Sequence, residues 1–382
     1  MVVHNEVLRD GRVLKEAASA AAAGWRVVVV GLSLTGRAPA RMAHPAGFTI
    51  VSVRPPLVGP AESPNRAGLL LRLLLALPGL LWATRRANAR LYHANDFTGL
   101  LQVALAGIWR CSVVYDSHEL FFDRPLPDLP APVVWLVNRM RRLEGWLARR
   151  AAAVITVNDS IADRLAHTLG VPRPAVVRNA VDLRGLPPAA AVYPRAGRRL
   201  LAHTGRLIYA RHLPEMVAAL PHLPDDIALV LMGEGPLAAA LQAQAEALQV
   251  RDRLFIVPPV PPAAVAPTLA QADVALVLTS TDGLNNQYSL PNKFFEAVAA
   301  GLPIITGPNV EIAGLLRRYE MGQVCDPDDP ASIAAAALEL LRPENQARYR
   351  ANAQRARAEL NWEIEERALL GVYARLLNGT CG

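Results

Sequence analysis

The chain has 382 residues, of which 52% are hydrophobic and 19% charged. That composition excludes intrinsic disorder and allows two domains, each with its own core. Its 40 lysines and arginines outnumber 33 acids for a net charge of +7, which suits anionic partners such as nucleotide phosphates or acidic lipids. Cys111, Cys325 and Cys381 are far apart and odd in number, so they make neither a disulfide framework nor a metal spacing. With no apolar signal core in the opening residues, the expected setting is cytoplasmic, with peripheral contact on the inner face of the membrane as a variant. No zinc finger, aromatic-studded RNA-binding strand or basic tail occurs, so nucleic acid is not an expected partner.

In the first half, apolar β-branched runs predict strands at 26–30, 49–53, 91–93, 112–116, 154–157 and 175–178. Helical patterns lie between them at 12–23, 67–86, 98–109, 133–150 and 160–169. Only Val2 and Val3 precede His4-Asn5, so the first strand is either short or starts upstream. Residues 67–83 read AGLLLRLLLALPGLLWA, with Arg72 and Pro78 inside. That is at the short edge for a membrane span, and arginine is costly in lipid. The expectation is a helix packed on a sheet; the alternative is a helix lying in the membrane interface. The run Val113-Val114-Tyr115 ends in Asp116-Ser117-His118-Glu119, so His118 stands at a strand end. Its imidazole suits a sugar hydroxyl, a phosphate or a proton transfer, against the plainer reading of a loop histidine bonded to a carboxylate. Asp96, at the preceding strand end, reads as a cap.

A proline-rich stretch, 184–198, reads as a linker. The pattern then restarts, with strands at 200–203, 228–232, 254–257, 274–278 and 303–305. Helices follow at 213–220, 236–248, 263–270, 291–300, 312–318 and 331–341, with two more near 344–360 and 363–377. Two doubly wound, mostly parallel α/β sheets in series are expected, and ligands in such sheets bind beyond the strands' carboxyl ends. The expected organisation is a first domain over 1–183, the linker, a second domain over 199–360, and a final helix, 361–382, crossing back to the first domain.

In the second half three strand ends carry candidate residues. The first ends in His203-Thr204-Gly205-Arg206, with Arg211 five residues on; forked guanidinium bonds suit a diphosphate. The next ends in Gly233-Glu234-Gly235-Pro236, a turn that exposes backbone amides. After 274–278 comes a polar loop through Asn286, Gln287 and Tyr288, then Leu290, Pro291, Asn292 and Lys293. The proline reads as a first-turn residue. Lys293 there opposes the helix dipole unless an anion is bound, and Glu296 lies one turn further in. Neither GxGxxG after the first strand nor GxxxxGK[ST] occurs, and no His/Cys/Asp cluster has metal spacing. Hence no dinucleotide cofactor, P-loop or metal is expected.

Taken together, Arg206 and Arg211, Gly233-Glu234-Gly235, the 282–303 segment and Asn361-Trp362-Glu363 resemble the retaining glycosyltransferases of family 4, which have the two-Rossmann GT-B fold. Residues 10–17, 115–120 and 177–182 resemble the family's first loop and helix, its acceptor-side histidine loop and its lead into the hinge. The resemblance implies a nucleoside-diphosphate sugar donor, UDP or GDP, on the second domain. Arg206 and Arg211 would hold its diphosphate, Arg211 standing where the family usually has lysine. Glu296 matches the second of the family's paired glutamates, a ribose ligand, while Tyr288 occupies the place of the first. Sugar hydroxyls would then meet Asn286, Gln287 or amides around Leu290. His118 matches the histidine beside the transferred sugar. The acceptor would be a hydroxyl of a glycan, a lipid-linked sugar or a small molecule, in a setting of cell-envelope or exopolysaccharide synthesis. Two alternatives stay open: a nucleotide-sugar epimerase of the same fold, and a non-catalytic nucleotide-sugar-binding subunit of a membrane complex.

Overall fold

The computed structural model describes residues 1–33, 38–55, 66–108, 111–123, 131–195 and 197–378. Residues 124–130, Trp109 and Cys381 lie outside that set. The chain forms two units, Met1–Arg178 with Glu366–Gly382, and Asn179–Glu365.

The first unit runs α1 (Gly11–Ala22), β1 (Val28–Leu32), β2 (Arg41–Ala43), β3 (Thr49–Val53), α2 (Arg66–Ala87), β4 (Leu91–Asn95), α3 (Asp96–Leu105), β5 (Ser112–Ser117), α4 (Ala131–Ala148), β6 (Ala153–Thr156), α5 (Asp159–Leu169) and β7 (Ala175–Val176). Two ladders result, β1-β3-β2 and β4-β5-β6-β7. Val2 bridges Val30 and Ala94 in parallel, so the opening residues stitch β1 to β4. Alternation along β1 and β3 sends Val29 and Ile50 toward Val13 and Ala17 of α1, and Val30 and Leu32 toward Ala76, Leu80 and Ala83 of α2. Asp10 starts α1 by accepting the Val13 amide at 3.1 Å. The segment 67–83 is thus a helix packed on the sheet. Among the described residues, no helix is long and apolar enough to cross a membrane. The short antiparallel β2 has no signature in the sequence: three residues, mostly exposed, offer too little periodicity to read.

The second unit runs β8 (Arg199–Thr204), α6 (Leu213–Ala218), β9 (Ile227–Met232), α7 (Ala238–Ala247), β10 (Leu254–Val257), α8 (Val265–Leu269), β11 (Val274–Val277), α9 (Gly283–Gln287), α10 (Asn292–Ala299), β12 (Ile304–Thr306), α11 (Val310–Tyr319), β13 (Gly322–Val324), α12 (Pro330–Leu341) and α13 (Pro343–Glu359), after which α14 (Trp362–Asn378) begins. Its six strands are all parallel, in the order β10-β9-β8-β11-β12-β13. Every residue of β9 is buried, as expected for a parallel strand covered on both faces. Strand order reverses between β8 and β11, the switch point where such sheets bind ligands.

Residues around 190–193 pack into the second unit: the Ala190 amide donates to Thr268 Oγ1 at 3.0 Å, and Tyr193 is buried in its core. The Trp362 amide donates to the Val181 carbonyl at 2.9 Å. From Glu366 on, α14 lies with the first unit, where Glu366 accepts from Ser19 Oγ at 2.7 Å and Tyr373 packs on His93 and Trp25.

Candidate active site

At the switch point of the second unit, β8 runs into Gly205 and β9 into Gly233. Gly205 has φ +115°, a conformation side chains rarely adopt, and a Cβ at Gly233 would lie 1.9 Å from the Gly205 carbonyl oxygen. The two turns therefore pack backbone on backbone. The Gly205 amide donates to Met232 O at 3.0 Å and the Leu207 amide to Glu234 O at 2.9 Å. This fixes where Arg206, which is exposed, leaves the sheet.

The loop after β11 returns to the same point through α9, a short helix where a loop was expected, and α10. Pro291 is not in the first turn of α10 but caps it, because its ψ of 154° is extended. Lys293 is in that first turn and is nonetheless buried. Its Nζ donates to His203 Nε2 at 3.3 Å. His203 Nδ1 donates to the Leu276 carbonyl at 3.0 Å, which leaves Nε2 as the acceptor. Burial and the neighbouring ammonium hold His203 neutral, well below its ordinary pKa. Burial, helped by the Arg211 guanidinium and opposed by Glu296, lowers Lys293 to about 7. Arg211 ends a 3-10 turn, Tyr209–Arg211, and its Nε is buried without a hydrogen-bond acceptor. Two cations thus share a partly dry site, and the lysine leans on a neutral imidazole rather than a carboxylate. Such a site suits a bound anion.

Glu296 accepts from Thr204 Oγ1 at 3.0 Å, and burial raises its pKa against that bond and Lys293. Asn292 Oδ1 accepts from Asn179 Nδ2 at 2.8 Å. Leu290 is buried in the core, so only its backbone is available to a ligand. Tyr288 closes α9 with its amide on Leu284 O at 3.0 Å. One residue with no motif to mark it organises this loop. Asn309 Nδ2 donates to the carbonyls of Asn286 at 2.8 Å and Ser289 at 3.0 Å, while its Oδ1 caps α11 through the Ile312 amide at 3.0 Å.

The first unit carries a separate constellation. Arg12 grips Asp116 with two bonds, Nε to Oδ2 at 2.9 Å and Nη2 to Oδ1 at 3.0 Å, and donates Nη1 to Val177 O at 2.8 Å. Glu16 lies 3.0 Å from the same guanidinium. His93 meets Asp116 at 3.2 Å through Nε2 and the Tyr373 hydroxyl at 2.5 Å through Nδ1. His118 Nε2 meets Asp116 Oδ2 at 3.1 Å, its Nδ1 lies 3.6 Å from Asp96, and Asp96 also accepts its amide at 3.3 Å. Burial alone would lower the His118 pKa; Asp116 and Asp96 overcome it and raise it to about 9. Burial alone would raise Asp116; Arg12 and His118 hold it well below the usual range. At neutral pH His118 is therefore an imidazolium, a fixed positive donor and not a free base. Glu16, His93 and Asp116 do bring three metal-type ligand atoms together, but the Arg12 guanidinium already supplies their positive partner. A cavity of about 550 Å³ lined by Trp25, Val28, Leu91, His93 and Tyr373 opens at the other, N-terminal ends of these strands, away from His118.

A profile described as the glycosyl transferase 4-like domain matches residues 12–182, and one described as glycosyl transferases group 1 matches residues 198–343. The chain belongs to the group 1, family 4 glycosyltransferases. A glycogen synthase of Mycobacterium tuberculosis is 27% identical over 322 residues, covering 82% of this chain and 74% of that protein. Among solved structures, a sucrose-phosphate synthase from Thermosynechococcus elongatus superposes with a TM-score of 0.75 at 18% identity, covering 96% of this chain and 92% of that one. HepE of Anabaena, solved in complex with UDP, does so with a TM-score of 0.71 at 16% identity and 98% coverage of both. The fold is GT-B, and the chain is a hexosyl-class glycosyltransferase.

Within this glycosyltransferase, Gly205, Arg206, Gly233, Glu234 and Gly235 line one turn pair, while Arg211, Lys293 and Glu296 gather at the switch point. Asn286, Tyr288, Pro291 and Asn292 follow along the α9–α10 loop. His118 belongs to the first unit's network. Sequence reasoning passed over His203, Thr204, Asn309, Arg12 and Asp116 as functional groups. A histidine in the apolar run LLAHT was the readable signal for His203; Asn309 had none beyond its capping position.

Proposed function

We propose that the enzyme transfers a hexosyl unit from a UDP- or GDP-sugar to a hydroxyl acceptor with retention of anomeric configuration. The observation that carries this is the cation pair at the switch point: buried Lys293, lowered to about 7, with half-buried Arg211, whose Nε is buried and unbonded. A diphosphate there would restore the lysine's charge and satisfy the guanidinium. Charge grows on the departing diphosphate during transfer, and Arg206, Arg211, Lys293 and the amides at the start of α10 are preorganised donors for it. Those side chains supply the positive charge in this reading, so no metal or cofactor is assigned a role. Glu296, fixed by Thr204, is the ribose ligand. In this reading acceptor attack and diphosphate departure share one face, the diphosphate taking the proton. His118, as an imidazolium, serves as a charged hydrogen-bond donor to the reacting sugar. The acceptor is a glycan, a lipid-linked sugar or a small molecule, in cell-envelope or exopolysaccharide synthesis.

A thermal-shift screen of nucleotides and nucleotide sugars tests the donor class, since a ligand raises apparent stability by mass action. UDP or GDP and one cognate sugar should raise the midpoint; no shift with any nucleoside diphosphate would end the reading. NMR of the product should then show the donor's anomeric configuration retained. A new epimer formed from donor alone would make the protein an epimerase.

A further inference from the structure

Apart from Leu8, the exposed large apolar side chains of the first unit fall on one layer. On α2, Leu71, Leu74 and Trp82 are exposed, with Trp82 62% accessible; on α3, Leu105 is exposed. On α4, Val133, Val134, Trp135, Leu136 and Trp146 are exposed, Trp135 at 58% and Trp146 at 42%. Helix α2 packs on α3 and α3 on α4, so these residues belong to one contiguous helical layer. In the second unit, exposed residues of this size, such as Val192, Leu248 and Val324, sit on separate elements.

The charges of this layer have one sign. No Asp or Glu occurs in α2. The acid of α3, Asp96, is engaged with His118, and the acid of α4, Glu144, is buried and accepts from the Tyr115 hydroxyl at 2.5 Å. Arg86, Arg139, Arg142 and Arg150 are exposed. Three tryptophans each carry an arginine four residues on, over the ring: Arg86 at 5.1 Å from Trp82, Arg139 at 4.7 Å from Trp135 and Arg150 at 3.5 Å from Trp146. A Trp–Arg pair at helical spacing combines an interfacial ring with a phosphate-seeking cation.

We propose that the outer face of α2, α3 and α4 docks the enzyme on an anionic lipid bilayer, tryptophans at the headgroup level and arginines on lipid phosphates. Charge selects this occupant: the exposed charges of the layer are cationic, and each arginine near an anionic surface raises partitioning about fivefold. The face lies on the bilayer and does not enter it, because Ala76, Leu80 and Ala83 anchor α2 in the core. Transfer chemistry is not needed for the contact.

The test is flotation of the full chain with vesicles of phosphatidylglycerol in phosphatidylcholine, beside vesicles of phosphatidylcholine alone. Binding should require phosphatidylglycerol, weaken with salt and blue-shift tryptophan emission. A Trp82→Ala, Trp135→Ala, Trp146→Ala variant should lose binding tenfold or more, by order of magnitude for interfacial rings. An Arg86→Glu, Arg139→Glu, Arg142→Glu variant should lose more. Both should keep the nucleotide-induced thermal shift, which reports that they are folded; where that shift is missing in the parent too, circular dichroism serves instead. Val192→Ser with Leu248→Ser should bind like the parent. Absence of binding to phosphatidylglycerol vesicles at low salt, equal binding to both vesicles, or full binding by the face variants would overturn the proposal. So would dimerisation abolished by the same substitutions without lipid binding, which would make the face a contact between copies.

Discussion

The two units treat buried charge in opposite ways. In the first, Arg12 and Asp116 stabilise each other, with Glu16 within 3.5 Å of Arg12 and His93 and His118 within 3.5 Å of Asp116, although the buried Glu16 oxygens accept no hydrogen bond and burial raises its pKa. In the second, buried Lys293 and half-buried Arg211 repel each other, and Lys293 hydrogen-bonds a neutral imidazole while the Glu296 carboxyl only partly offsets its burial. Removing Asp116 from its ion pair strands the Arg12 charge; removing one of two neighbouring desolvated cations relieves one. Stability and ligand affinity should therefore separate between the units.

The largest effect expected is at Asp116. Asp116→Asn leaves Arg12 with only Glu16 and a backbone carbonyl, and breaking such a buried pair costs about 3–5 kcal/mol. Urea unfolding followed by circular dichroism should show it; a loss under about 1 kcal/mol would mean the network contributes little. Lys293→Met should do the reverse. Thermal stability should hold or rise, while affinity for UDP or GDP falls by about 2 kcal/mol or more, roughly thirtyfold, by calorimetry. A destabilised Lys293→Met protein with normal affinity would erase the contrast between the units.

Smaller and more specific is the pH dependence of binding. With Lys293 at about 7 in the free enzyme and raised again by a bound diphosphate, binding takes up a proton above that pH. Affinity should weaken by up to about tenfold per pH unit above 7, where one unit corresponds to about 1.4 kcal/mol. Calorimetry in buffers of different ionisation enthalpy should report proton uptake at pH 8. A pH-independent constant between 7 and 9 would place the phosphates away from Lys293.

Much of this is legible in the sequence. The parallel strands of both units announced themselves as apolar β-branched runs, and strand-end glycines marked Gly205 and Gly233 because close backbone packing excludes a side chain there. What was not readable was tertiary. Lys293 and Arg211 are 82 positions apart in sequence, and nothing local says that both are desolvated or that His203, also buried, is held in one tautomer. Asn309 looks like any helix cap until its amide is found on Asn286 and Ser289. The expected plain alternative for His118, a loop histidine bonded to a carboxylate, describes its geometry correctly. The bond adds a fixed charge to the residue, which spacing alone does not reveal. Helix α9 is not legible in the sequence because its five residues, GLNNQ, with a single apolar side chain, carry no helical stripe.

His118 offers the smallest effect and the finest comparison, because it is the network's exposed edge, with a side chain 20% accessible. Its pKa is raised from 6.5 to about 9, so its stabilisation is fully present below 6.5 and lost as pH rises through 9. The parent should lose stability progressively from about pH 7 to 9.5, and His118→Gln should flatten that slope while leaving the acid limb, set by Asp116, in place. In the same variant turnover should fall further than donor affinity, since a charged donor to the reacting sugar acts in the transition state more than in the ground state. A flattened slope with normal turnover would reduce His118 to a member of the ion-pair network. Lost turnover with an unchanged slope would mean that its charge in the free enzyme is not what the carboxylates dictate.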